Sequence, residues 1–236
     1  MARKTGASGA ATLKAIRQAG LKLMAQHGYE AMSLRHLAAE VGIQAGSLYN
    51  HIATKQELLV GLIRAHMEEL IRALDAALDG HDDPADRLRA FVAFHVGTHL
   101  LKRQEVYVST FELRALERTN YAKVVRLRRR YEQRLTRILD DGKARRRFVF
   151  DDTRVTAYAI LAMLTGVCTW YRPKGRLSRQ AIIDIHTRLV MKGVGVKSRV
   201  RTAAKIGVKS AAKAKSAAAK GRAKRPAHKP RPARAA

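Results

Sequence analysis

One cysteine, Cys168, stands in a chain of 236 residues. No internal disulfide can form, and a reducing compartment is expected. No apolar run reaches the roughly 20 residues of a membrane span, and residues 1–11 lack a signal peptide's hydrophobic segment. A soluble, cytoplasmic protein with no membrane partner is the expectation. Acids are scarce beside bases: 19 Asp+Glu face 47 Lys+Arg, a net charge of +28. A field of that sign acts on polyanions, so nucleic acid is the expected partner. Catalytic signatures are missing too. There is no Gly-x-Ser-x-Gly, no Walker loop and no dinucleotide glycine fingerprint. The paired acids at 68–69, 82–83, 140–141 and 151–152 read as helix caps and solvated ends. Neither enzyme activity nor a cofactor is expected.

What is present has helical spacing. Residues 1–11, with Arg3, Lys4 and two glycines, read as a short flexible arm. From Thr12, Leu13, Ile16, Gly20, Leu23 and Met24 share one face until Gly28 ends the run. Ser33 caps a second helix that Gly42 ends, and Gln44 to about Ile52 makes a third. Thr54 and Glu57 form a capping box that opens a long helix to about Leu78. After the break at residues 80–84, helical stretches follow at 85–101, 104–117, 119–142, 152–171 and 178–192. Val149 and Phe150 suit a short extended piece, but nothing alternates long enough for a sheet. The expected fold is all-α.

From Gly193 the pattern dissolves into a Lys/Ala/Pro tail. Residues 197–236 hold 14 of the cations and no acid, with no aromatic after Tyr171. Such a segment cannot bury enough apolar area to offset its ordering entropy, so 193–236 is expected to be disordered when free. It is similar to linker-histone tails, which leaves a general histone-like DNA-binding protein as the alternative reading.

The short helices at 33–41 and 44–52, joined by Gly42-Ile43, have the helix-turn-helix arrangement, whose second helix enters the major groove. Gln44, Ala45, Ser47, Asn50 and His51 face outward on this reading, and Leu48 and Ile52 inward. Gln44 and Asn50 have the amides that pair with adenine. Lys55 opens the next helix, where free amides attract a phosphate. An ordinary helical hairpin would share the spacing. The run Ser33-Leu34-Arg35-His36-Leu37-Ala38-Ala39-Glu40-Val41-Gly42-Ile43-Gln44-Ala45-Gly46-Ser47-Leu48-Tyr49-Asn50-His51-Ile52, followed by Thr54-Lys55-Gln56-Glu57-Leu58-Leu59, resembles the DNA-binding domain of TetR-family regulators over residues 12–60. Ile52 departs from the usual aromatic. The resemblance implies that Tyr49, His51 and Lys55 hold phosphates while Gln44, Ala45 and Ser47 approach bases. The full DNA-binding set expected is Ser33, Arg35, Gln44, Ala45, Ser47, Tyr49, Asn50, His51, Thr54 and Lys55, on double-stranded DNA with a palindromic operator.

The same resemblance implies that residues 61–192 form a helical domain that binds a small-molecule effector and makes a homodimer through helices 152–171 and 178–192. Val155, Tyr158, Ala159, Leu161, Ala162, Leu164 and Thr165 make the first of these apolar nearly all round. Lys123, Arg126, Arg130, Arg134 and Arg137 form a basic strip on helix 119–142 that acids answer only at its end, at Asp140 and Asp141. A solvated face is the plainer reading of the strip; a landing site for an anionic ligand is the functional one. Residues 121–177 resemble the TetR regulators of fatty-acid and steroid-ring catabolism, several of which answer to acyl-coenzyme A. The cluster Lys143-Ala144-Arg145-Arg146-Arg147 departs from the glycine-containing turn of that group. The expected ligand set is His95, His99, Arg126, Arg130 and Arg134. His95 and His99 are spaced four apart as in metal sites, but two ligands are too few for closed zinc. No metal is expected. The resemblance implies a ligand-released repressor.

Overall fold

The computed structural model describes residues 5–195; the expected tail from residue 196 onward, and residues 1–4 of the expected arm, lie outside them. No strand occurs among the described residues, and the elements are helical throughout. Val149 makes a single backbone bond to the Val194 carbonyl (2.9 Å) in place of an extended ladder.

The first four helices are α1 (Thr5–Ala31), α2 (Leu34–Val41), α3 (Ala45–Leu48) and α4 (Lys55–Leu78). Helix α1 starts ahead of Thr12, so residues 5–11 are helical where a flexible arm was expected. Alanines at 7, 10 and 11 extend a helix already nucleated, and propagation costs far less than starting a new turn. Ile16, Leu23 and Met24 are buried. Gly20 lets α4 approach closely: a Cβ there would lie 2.8 Å from Leu58 Cδ2. Gly28 leaves helical geometry at φ 82°, ψ 163° within the last turns of α1.

Helix α5 (Pro84–Leu101) is the axis of the larger part of the molecule. Asp83 caps it by accepting the Ala85 N–H at 2.8 Å, and Pro84 occupies its first turn. Leu88, Phe91, Val92, His95, Val96, His99 and Leu100 are all buried. A helix this apolar must be covered by neighbours along most of its length. Around α5 lie α4, α6 (Arg103–Phe111), α7 (Arg118–Ala144), α8 (Thr153–Thr165), α9 (Val167–Trp170) and α10 (Arg179–Gly193).

Two expected helices are each broken. Residues 104–117 divide into α6 and a 3-10 turn at Glu112–Ala115, and 152–171 divides at Gly166 into α8 and α9. Helix α5 is more deeply buried than α8. Helix α8 buries Ala157, Ile160 and Leu164, while Val155, Tyr158, Ala159, Ala162 and Met163 stay exposed. Leu189 of α10 and Trp170 of α9 are half exposed as well. None of the described helices is long and apolar enough to cross a membrane.

Candidate nucleic-acid interface and ligand cavity

The segment from α2 to the start of α4 is built from caps. Ser33 Oγ accepts the His36 N–H at 3.0 Å and starts α2. Gly42 ends it in the left-handed region (φ 75°, ψ 31°), donating to Ala39 O at 3.1 Å, and Ile43 donates to Ala38 O at 3.0 Å. That pair of bonds is a Schellman motif, in which the left-handed residue reverses the chain. Gln44 follows in extended geometry, its side chain making no cap bond to α3. Gln44, Ala45, Gly46, Ser47, Tyr49 and Asn50 are exposed, and His51 is half-buried. Leu48, fully buried, and Ile52 anchor this segment to the core. Regular helix covers only Ala45–Leu48 of the expected 44–52; beyond it His51 and Ile52 both donate to Leu48 O, at 2.9 and 3.1 Å. A short, small-residue projection of this kind can enter a major groove about 12 Å wide.

Helix α4 begins beside it with a capping box. Thr54 Oγ1 accepts the Glu57 N–H (3.0 Å), and Glu57 Oε2 accepts the Ala53 N–H (2.8 Å). The Lys55 side chain turns back toward α1 rather than standing free. Its ammonium donates to Glu30 O (3.2 Å) and Met32 O (3.0 Å) and lies 4.2 Å from the centroid of the Tyr29 ring. What α4 offers a phosphate is then its dipole and first-turn amides rather than a free ammonium.

A cavity of about 230 Å³ lies between α4, α5, α6, α7 and α8. His66, His95, His99, Ser109, Thr110, Arg128, Tyr131, Glu132 and Thr165 give it a polar wall, and Met67, Leu70 and Leu161 an apolar one. His95 Nδ1 lies 2.9 Å from the Tyr131 hydroxyl and Nε2 lies 3.3 Å from the Thr165 hydroxyl. A neutral imidazole has one donor and one acceptor nitrogen, so one hydroxyl accepts and the other donates. Burial holds all three rings neutral. It pushes His66 down to about 4, His99 down to about 3, and His95 well below the ordinary value. Burial also pushes the Tyr131 hydroxyl up. The His95 and His99 rings stack at 3.8 Å, and His99 Nδ1 is buried without a hydrogen bond. Parallel rings direct their in-plane lone pairs side by side, not to a common point. Among the described residues no group of three or more His, Cys, Asp or Glu could hold a metal ion.

Residues 16–62 match the family model for bacterial regulatory proteins of the tetR family, and residues 81–194 match that of the tetracyclin repressor-like C-terminal domain. The chain belongs to the TetR family. The HTH-type transcriptional repressor KstR2 of Mycobacterium tuberculosis is 25% identical over 174 residues, 73% of this chain and 87% of that protein. A tetR-family regulatory protein from Rhodococcus RHA1 superposes with a TM-score of 0.75 at 27% identity, covering 79% of this chain and 98% of that one. AibR, solved with isovaleryl coenzyme A and operator DNA, shares the fold with a TM-score of 0.70 at 24% identity, over 75% of this chain and 97% of its own.

Within this TetR fold the expected DNA-binding residues fall at one end, in unequal roles. Arg35, Gln44, Ala45, Ser47, Tyr49 and Asn50 are free at the surface. Ser33 and Thr54 are occupied as caps and Lys55 as a brace. Of the expected ligand set, His95 and His99 line the cavity, whereas Arg126, Arg130 and Arg134 are not in its wall. Acids also answer the basic strip in its middle: Arg134 forms a bidentate pair with Asp75 of α4, both bonds 2.9 Å, and that bonding holds the Asp75 carboxyl below its usual range. The expected ligand set left out most of the cavity wall, Arg128 and His66 among it, and Gln56 was given no role. Gln56 joins α4 to two neighbours, donating to the Tyr29 hydroxyl (3.0 Å) and Ala115 O (2.6 Å) and accepting the Glu117 N–H (3.3 Å). Arg128 had a detectable signal. It sits four residues after Val124 and three before Tyr131, both buried, so helical spacing puts it on the inward face.

Proposed function

We propose that this TetR-family regulator is a cytoplasmic homodimeric repressor, released from a palindromic operator when an acyl-coenzyme A thioester fills the cavity of the second domain. One observation carries the reading: a single helical core presents the exposed α3 projection at one end and a polar-walled cavity among the helices around α5. The KstR2 relatives, which are repressors, support repression. Exposed apolar side chains on α8 (Val155, Met163), α9 (Trp170) and α10 (Leu189) support dimerisation. Two projections related by a two-fold axis would meet successive major grooves about 34–36 Å apart. Gln44, Ala45 and Ser47 would then approach base edges, with Tyr49 and His51 on phosphates.

Release follows from linkage. A ligand that prefers the conformation with mismatched half-site spacing weakens operator affinity, and moving the dimer from mostly bound to mostly free needs about 3–5 kcal/mol of differential binding. Residues 197–236 would add phosphate contacts that steepen the salt dependence without choosing the site. The test is a footprint on genomic fragments under excess competitor DNA, with and without acyl-coenzyme A thioesters. Protection of one short palindrome, relieved by a thioester, is expected. Uniform coating, or a strict monomer in sedimentation, would overturn the reading.

A further inference from the structure

We infer, on the reading of this cavity as the effector site, that its ligand is a short carbon chain carrying a carboxylate, with the anionic end seated at Arg128. The argument starts from unbalanced charge. Arg134, Arg145 and Arg147 each pair with an acid on the surface. Arg128 is more deeply placed, yet it pairs with no acid among the described residues; its Nη1 donates to Ser109 O at 3.1 Å. A partly buried guanidinium without an anion is costly, and a carboxylate matches its planar fork with two parallel bonds.

The surroundings set the orientation. Glu132 is the one acid in the wall of the cavity, and it adjoins the groove shared with Tyr158 and Arg154. Arg128, with Thr110, Leu161 and Thr165, instead borders a second cavity of about 300 Å³ beside α6 and α9. Arg128 and Glu132 are one helical turn apart on α7, and a carboxylate seated on Arg128 takes the side that borders the second cavity. The Thr110 hydroxyl is a further donor in the same wall, whereas the Ser109 hydroxyl already donates to Val106 O at 3.1 Å. Met67, Leu70 and Leu161 supply apolar contact for methylenes.

The cavity, about 230 Å³, admits a short acyl chain with its carboxylate and is far too small for a whole coenzyme A. Such a group comes from two sources: a free short-chain acid, or the distal carboxylate of a dicarboxylyl thioester whose coenzyme A stays outside.

Calorimetry on the full chain separates them. Glutaryl-coenzyme A is compared with valeryl-coenzyme A, which has the same carbon count and no distal charge; valerate is compared with valeramide. The carboxylate member of at least one pair is expected to bind about 10- to 100-fold tighter, the range for hydrogen bonds to a charged group. That preference should disappear in Arg128→Met, whose unliganded Tm holds or rises because an unpaired charge has left. Arg128→Gln keeps an amide donor for Ser109 O and serves as a second variant should the first misfold. Equal binding within both pairs, absence of all binding, or a preference that survives at both variants overturns the inference. Carboxylate binding that leaves the operator complex intact supports the Arg128 site and overturns ligand release instead.

Discussion

The α3 end and the cavity are built on opposite terms. At α3 the exposed groups come from one short stretch, held by caps and by the anchors Leu48 and Ile52. The cavity collects His66, His95, His99, Ser109, Arg128, Tyr131 and Thr165 from five helices, and keeps its imidazoles dry. A surface that meets a polyanion can stay hydrated, because its affinity comes largely from counterion release. A cavity for a small ligand must hold polar groups away from water before the ligand arrives, and that cost lowers the stability of the empty fold.

The sharpest way to break this contrast is acid. Burial depresses the folded pKa of His66 to about 4 and of His99 to about 3, with His95 well below 6.5, so the unfolded chain binds more protons wherever pH lies between those values and 6.5. Stability from these rings is whole above pH 6.5 and is lost as pH falls toward the folded values. The three together should cost on the order of 5 kcal/mol between pH 7 and 5. Urea midpoints across that range check it, and His66→Gln should remove about a third of the slope. A flat profile would mean the cavity is wet.

Phe91→Ala should come next, at about 3–5 kcal/mol. The Phe91 ring is fully buried and backs the cavity, 5.8 Å from the His95 ring and 5.7 Å from that of Tyr131. Denaturant melts measure the loss. Operator affinity of the still-folded fraction should stay unchanged, because α3 rests on its own anchors.

How much could be read without coordinates follows the same divide. The α3 end was legible because its information is contiguous: a serine cap, a glycine at the turn and a threonine–glutamate box lie within two dozen residues. The cavity was legible only as His95 and His99. Three consecutive arginines at 128–130 supply several helical stripes, and choosing the inward one requires the neighbours Val124 and Tyr131 rather than the most regular row of charge. Lys55 shows the limit at the α3 end itself. Helix-start logic attracts a phosphate there, but nothing local tells that the carbonyls of Glu30 and Met32 already hold the ammonium.

Lys55 and Tyr49 therefore sharpen the comparison within the α3 end. Lys55→Ala should lower stability by about 1–2 kcal/mol, the scale of charge-assisted hydrogen bonds at a part-buried site. Tyr49→Ala, at a side chain 57% exposed, should leave the melt within about 0.5 kcal/mol while weakening matched and mismatched operators alike. Paired thermal melts and mobility shifts distinguish the two; a Lys55→Ala variant as stable as wild type would return the ammonium to the phosphate role.

The smallest effect concerns two left-handed turns, one after α2 and one after α7. Both need a residue in the left-handed region: Gly42 at φ 75° after α2, and Arg146 at φ 54° after α7. Glycine adopts that conformation without a Cβ penalty; a side chain there costs about 1–2 kcal/mol. Arg146 forms no ion pair or side-chain hydrogen bond among the described residues, and the ring of Phe148 covers Gly142 at the same turn. Arg146→Gly should therefore stabilise the chain by about 0.5–1 kcal/mol, since relief of the backbone strain is partly offset by the greater freedom of glycine when unfolded. The mirror change, Gly42→Ala, has open space for its methyl group and should lose about 1 kcal/mol from the backbone alone. Opposite signs at these two positions would show that both turns favour glycine. Equal signs would place the stabilising contribution of Arg146 in its side chain.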